Sequence, residues 1–102
     1  MKRVRLDPEA RDEILQAARW YDERRAGLGH DFLAAVDEAV ARLKKGARGG
    51  RPPPGVPPDL GVLRLRVRRF PYALVFTELP AAFRVLAITH DRRRPGYWRK
   101  RL

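Results

Sequence analysis

The pattern of apolar and polar positions changes its period partway along the chain. Val4 and Leu6 alternate with Arg3 and Arg5, which predicts a short strand ending at Asp7. The period then becomes helical. Ala10, Ile14, Ala17, Ala18 and Tyr21 make one apolar stripe, and Phe32, Val36, Ala39, Val40 and Leu43 make a second. Asp7-Pro8-Glu9 reads as a helix start, with an Asp N-cap, Pro at the first helical position and acid in the first turn. Gly27 suits a left-handed cap after the first helix. Lys44-Lys45-Gly46 closes the second, with cations at the negative end of the dipole. The two helices, joined by Gly-Leu-Gly, predict a helical hairpin with one shared inner face.

From residue 62 the period is two. In VLRLRVRRF, Leu63, Leu65 and Val67 face one way while Arg64, Arg66 and Arg68 face the other, a half-buried strand. Phe70-Pro71-Tyr72 turns the chain into YALVFTEL, which is more apolar and therefore more central. Residues 79–82 form a hairpin loop into a last strand at 83–89, where Val85-Leu86-Ala87-Ile88 is a buried run. The predicted order is strand, helix, helix, strand, strand, strand. That is an α+β fold, an antiparallel sheet with the N-terminal helical hairpin packed on one face. Trp20, Tyr21 and Phe32 are expected in the core, and His30, off its stripe, on the surface.

Between the two regimes, residues 46–61 contain five Gly and five Pro and predict a loop, partly polyproline-like. Its length points to function or mobility rather than to a simple connection. The 41 residues beyond it are too few to fold alone, so residues 1–102 read as a single domain.

Charge sharpens this picture. The net charge is +11, and it is lopsided: residues 1–46 carry +1, whereas residues 47–102 hold 13 Lys/Arg against 3 Asp/Glu. A cationic back half calls for a polyanionic partner, nucleic acid or an acidic protein. With the helices over one sheet face, Arg64, Arg66 and Arg68 are expected to pave the other, joined by Arg84. The tail begins at the edge of that surface with His90, Arg92, Arg93, Arg94, Tyr97 and Trp98, groups suited to gripping phosphates and stacking on bases.

Other classes lose ground. There are no cysteines, hence no disulfides or thiolate metal sites, which fits a reducing, cytoplasmic setting. No apolar run is long enough to span a membrane, and no signal peptide is expected. Two histidines and scattered carboxylates offer no metal-ligand cluster, and GARGGRPPPG precedes a strand rather than a helix, so it is no phosphate loop. No cofactor is expected.

Four stretches, DPEARDEILQAARWYDERRAGLG, DFLAAVDEAVARL, VRRFPYALVF and VLAITHDRRRPGYW, span residues from about 3 to 98. Together they resemble the RelE/ParE superfamily, the toxins of type II toxin–antitoxin pairs, also labelled plasmid stabilisation proteins. The resemblance implies the same β-α-α-β-β-β order. It also implies a cognate antitoxin whose acidic or amphipathic segment covers the active surface.

The family divides between two functions. RelE-like members cut messenger RNA in the ribosome without metal, which needs a base, phosphate-neutralising cations and an acid. On that reading His90 or Tyr97 handles protons and Arg93 and Arg94 neutralise phosphate. Arg64, Arg66, Arg68, Arg84 and Arg92 add to the binding surface, and Tyr72 or Trp98 stacks on a base. ParE-like members poison DNA gyrase by contact. The arginine that often follows the Tyr of the middle strand is Ala73 here, and the lysine pair expected near the second strand is absent. These departures favour a ParE-like gyrase inhibitor, with the messenger endonuclease as the alternative. A plain nucleic-acid-binding module is a third reading. It lacks a recognition-helix charge pattern or paired strand aromatics.

Overall fold

A computed structural model describes residues 2–46 and 49–102, so Ala47 and Arg48 of the predicted loop lie outside the described residues. The chain runs β1 (Arg3–Leu6), α1 (Pro8–Arg24), α2 (Leu28–Lys44), a 3-10 turn (Pro58–Leu60), β2 (Val62–Arg66), β3 (Tyr72–Glu78), β4 (Ala82–His90) and a second 3-10 helix (Tyr97–Arg101). The α+β class and the β-α-α-β-β-β order are as predicted.

The helical hairpin turns tightly. Gly27 is left-handed, with φ of 89°. A Cβ on Gly29 would lie 2.3 Å from the Ala18 carbonyl oxygen, so only glycine lets the helices approach this closely. Asp22 accepts a hydrogen bond from the Gly29 N–H at 2.7 Å and so caps α2 from the neighbouring helix. Asp7 holds the N-cap position of α1 in extended geometry, but its carboxylate makes no capping bond. It is occupied by Arg84 instead.

The sheet order is β1-β4-β3-β2. β2, β3 and β4 form an antiparallel meander, but β1 pairs with β4 in parallel, so the sheet is mixed rather than antiparallel. This topology explains the long loop. The Arg42 guanidinium reaches the Arg66 carbonyl, which places the end of α2 near the end of β2. The chain must therefore travel back along β2 before that strand can begin. It does so antiparallel, forming an isolated bridge between Arg51 and Arg64.

The main core lies between the hairpin and the sheet, with Phe32, Val36 and Leu43 packed against Leu74, Phe76 and Val85. A second core covers the other sheet face, where Val56 from the loop and Trp98 from the tail close over Val62, Val75, Leu86 and Ala87. A β-bulge makes this possible. Val75 pairs with Ala87 and Phe76 with Val85, so Leu86 is an extra residue. Leu86 and Ala87 therefore both face the second core, while Val85 and Ile88 face the first.

Three further expectations fail. The sheet face away from the helices is no open arginine pavement, because loop and tail bury much of it. Trp20 is 50% exposed rather than in the core. The β2 alternation stops at Arg66; Val67 is still buried, but Arg69 adopts a φ of 74° and Arg68 turns towards α2.

Candidate functional site

The C-terminal segment is held by one carboxylate. Glu13, on the polar flank of the α1 stripe, accepts hydrogen bonds from the Tyr97 hydroxyl (2.5 Å), from both terminal nitrogens of Arg101 (3.0 and 3.2 Å) and from the Ile88 N–H (3.2 Å). Tyr97 and Arg101 stand at the two ends of the 3-10 helix, and both side chains reach the same acid. Arg101 also donates to the Leu86 carbonyl. Burial, then the bond to Glu13, pushes the Tyr97 hydroxyl up to about 12. Arg93 stacks over the Tyr97 ring at 4.0 Å and stays 54% exposed.

Beside this cluster lies a cavity of about 510 Å³ whose lining includes Glu13, Trp20, Tyr72, His90 and Arg93. Tyr72 and His90 meet edge to face at 5.0 Å. Burial, then the neighbouring Tyr21, raises the Tyr72 hydroxyl above its ordinary value. The Arg92 N–H donates to His90 Nδ1 at 3.0 Å, so the neutral imidazole carries its proton on Nε2. Arg24 stacks on the exposed Trp20 ring at 3.7 Å.

The arginines predicted as one surface pair with three different acids. Arg64 and Arg66 both bind Asp91, at 2.7 and 3.2 Å. Arg68 binds Glu38 of α2 at 3.3 Å. These three also line a groove of about 790 Å³ with Arg42, Lys45 and Arg51. Arg84 is drawn away from the other three, making a two-pronged bond to Asp7 and a third to the Arg101 carbonyl. The reason is position: Asp7 follows β1 directly and its N–H bonds the Val85 carbonyl, which brings its carboxylate beside Arg84. Trp98 is buried to 2% exposure in the second core, so its ring is not available for base stacking. Arg92 and Arg94 project into solvent.

Sequence reasoning missed Glu13, Asp91 and Arg101. Glu13 had a usable signal, an acid one position before the stripe residue Ile14. Asp91 and Arg101 had none, because their partners lie on other elements. Among the described residues there is no metal-ligand cluster of His and carboxylates and no helix long and apolar enough to cross a membrane.

Residues 4–95 match the family model described as the ParE toxin of type II toxin–antitoxin system, parDE. Among solved structures, the chain is similar to one described as a chromosomal ParDE TA system from P. aeruginosa. The TM-score is 0.65 at 22% identity, covering 88% of this chain and 96% of that one. At that identity the likeness speaks for the fold. A comparison with curated proteins returned no match.

Proposed function

The chain belongs to the ParE toxin family of type II toxin–antitoxin systems, and from that premise we propose that it arrests growth by binding DNA gyrase without catalysis and that a cognate antitoxin neutralises it. The observation that carries the first part is the Glu13–Tyr97 bond. A metal-independent ribonuclease needs a proton-handling group facing the scissile phosphate. The Tyr97 proton is committed to a carboxylate and its pKa is pushed up to about 12, the wrong direction for a base working near neutrality. His90 Nδ1 is occupied by the Arg92 N–H, and Trp98 is enclosed. The cavity at the end of β4 brings together Trp20, Tyr72, His90 and Arg93, aromatic rings beside a cation. That composition suits a protein contact: half-exposed aromatics and arginine supply most of the binding energy at protein interfaces.

The antitoxin reading rests on a second surface. Between α1, α2 and β1 lies a groove of about 270 Å³ lined by Val4, Leu6, Leu15, Leu33 and Val40. β1 is an edge strand beside it, and Leu15 is 45% exposed. An amphipathic antitoxin segment fits there, with apolar residues in the groove and acidic residues meeting Arg11 and Lys44, two cations that line it with a single acid, Asp37. The test places gyrase supercoiling and ribosome-dependent messenger cleavage side by side on one purified sample, each with and without antitoxin. Antitoxin-relieved inhibition of gyrase with an intact messenger is the expected result. Codon-phased cuts with unaffected gyrase would reverse the assignment.

A further inference from the structure

The groove beside β2 is not used by the reading above, and its chemistry is one-sided. Arg42, Lys45, Arg51, Arg64, Arg66 and Arg68 line it. Two carboxylates serve four of these cations: Glu38 holds Arg42 and Arg68, and Asp91 holds Arg64 and Arg66. Lys45 and Arg51 have no ion-pair partner among the described residues, so the groove keeps four uncompensated positive charges. The arrangement works against stability in one respect. The Arg51–Arg64 bridge sets two arginines directly opposite each other, and like charges so placed repel. A bound anion between them would remove that repulsion.

From this geometry we infer that the groove is a binding site for the phosphate backbone of duplex DNA. An acidic peptide is disfavoured because the outer edge of β2 is already taken. Arg51 exchanges both backbone hydrogen bonds with Arg64 at 3.0 and 2.7 Å, and the Arg42 guanidinium fills the Arg66 carbonyl at 2.7 Å. A peptide strand could not pair there. Single-stranded nucleic acid is disfavoured because the lining has no aromatic ring on which bases could stack. What the groove offers is closely spaced guanidiniums and an ammonium, the chemistry of sequence-independent backbone contact. The inference rests on the gyrase reading only for where such DNA would be met, in a topoisomerase–DNA complex. The binding itself is measured without gyrase.

The experiment is fluorescence anisotropy of a labelled mixed-sequence duplex titrated with the full chain over a range of salt concentrations. Wild-type protein is expected to bind with a dissociation constant on the order of micromolar and a steep salt dependence, about 0.9 log units per phosphate neutralised. Lys45→Ala with Arg51→Ala removes no ion pair, so the chain should stay folded by circular dichroism. That variant should bind at least about tenfold more weakly and with a salt slope shallower by about 1.8, the value for two phosphates. Arg19→Ala with Arg25→Ala removes the same charge from exposed positions elsewhere and should keep the wild-type slope. No binding by wild-type protein, or equal losses in the two double variants, would overturn the inference. So would displacement of the duplex by poly-glutamate at equal charge concentration, which would make an acidic protein the occupant. DNA binding by a chain that leaves gyrase untouched would overturn the gyrase reading alone.

Discussion

The Tyr97 hydroxyl donates a 2.5 Å hydrogen bond to Glu13 across 84 residues of sequence, fastening the C-terminal 3-10 helix to the first helix. Arg101 joins the same carboxylate from the other side. Replacing Glu13 with alanine should strand both partners and free the Ile88 N–H. A cost of about 2–3 kcal/mol in a chemical denaturation curve is expected, because a guanidinium and a hydroxyl lose their acceptor in a mostly buried place. A Glu13→Ala chain as stable as wild type would mean that the tail is held by Trp98 alone.

Burial of Tyr97, and after it the bond to Glu13, sets a pH dependence. The Tyr97 pKa rises from the ordinary 10.0 to about 12 on folding, so the folded state holds its proton more tightly than the unfolded chain does. Its stabilising contribution is complete below pH 10 and is lost as pH rises through about 12. Thermal melts of wild type and Tyr97→Phe should therefore converge over that alkaline window after differing at neutral pH. A constant difference would show that the hydroxyl keeps an ordinary pKa.

Trp98 is expected to act through packing. Trp98→Ala opens a cavity between Val56, Val75 and Leu86 and should cost about 3–5 kcal/mol. Trp98→Phe should recover most of that stability together with toxicity. Loss of toxicity in a fully stable Trp98→Phe chain would assign the indole a contact with the target instead.

Arg93 lines the aromatic cavity and Arg94 follows it, exposed to solvent. Arg93→Ala with Arg94→Ala should abolish growth arrest in an induced culture while changing stability by less than about 1 kcal/mol, since Arg93 is half-exposed and its pair with Glu13 is long, at 3.9 Å. Full toxicity in the folded double variant would remove both residues from the functional surface.

Leu15 separates the two partners. Leu15→Glu sits on a half-exposed position and should leave toxicity intact, but antitoxin should no longer rescue growth or co-purify with the toxin. Rescue at wild-type level would place the antitoxin elsewhere.

Much of the fold was legible because periodicity reports burial. The helical stripes gave α1 and α2, and the alternation in VLRLR gave β2. The parallel pairing of β1 was not legible, since a period of two says nothing about strand direction. The run Val85-Leu86-Ala87-Ile88 announced burial but not the bulge that divides it between two cores. The site was less readable than the fold. Arg64, Arg66, Arg68 and Arg84 look alike as a charge pattern, yet their roles depend on which acid folds up against each. Asp7, Glu38 and Asp91 come from three different elements. Trp20 and Trp98 exchanged their expected places because the tail, not the first helix, closes the second core.

The most direct measurement of the central claim is gyrase supercoiling in the presence of equal concentrations of wild-type and Tyr97→Phe protein. A contact poison does not use the Tyr97 proton, so both chains should inhibit supercoiling equally and antitoxin should relieve both. The claim is contradicted if gyrase is untouched by wild-type protein while a translated messenger is cut, and the cutting disappears in Tyr97→Phe.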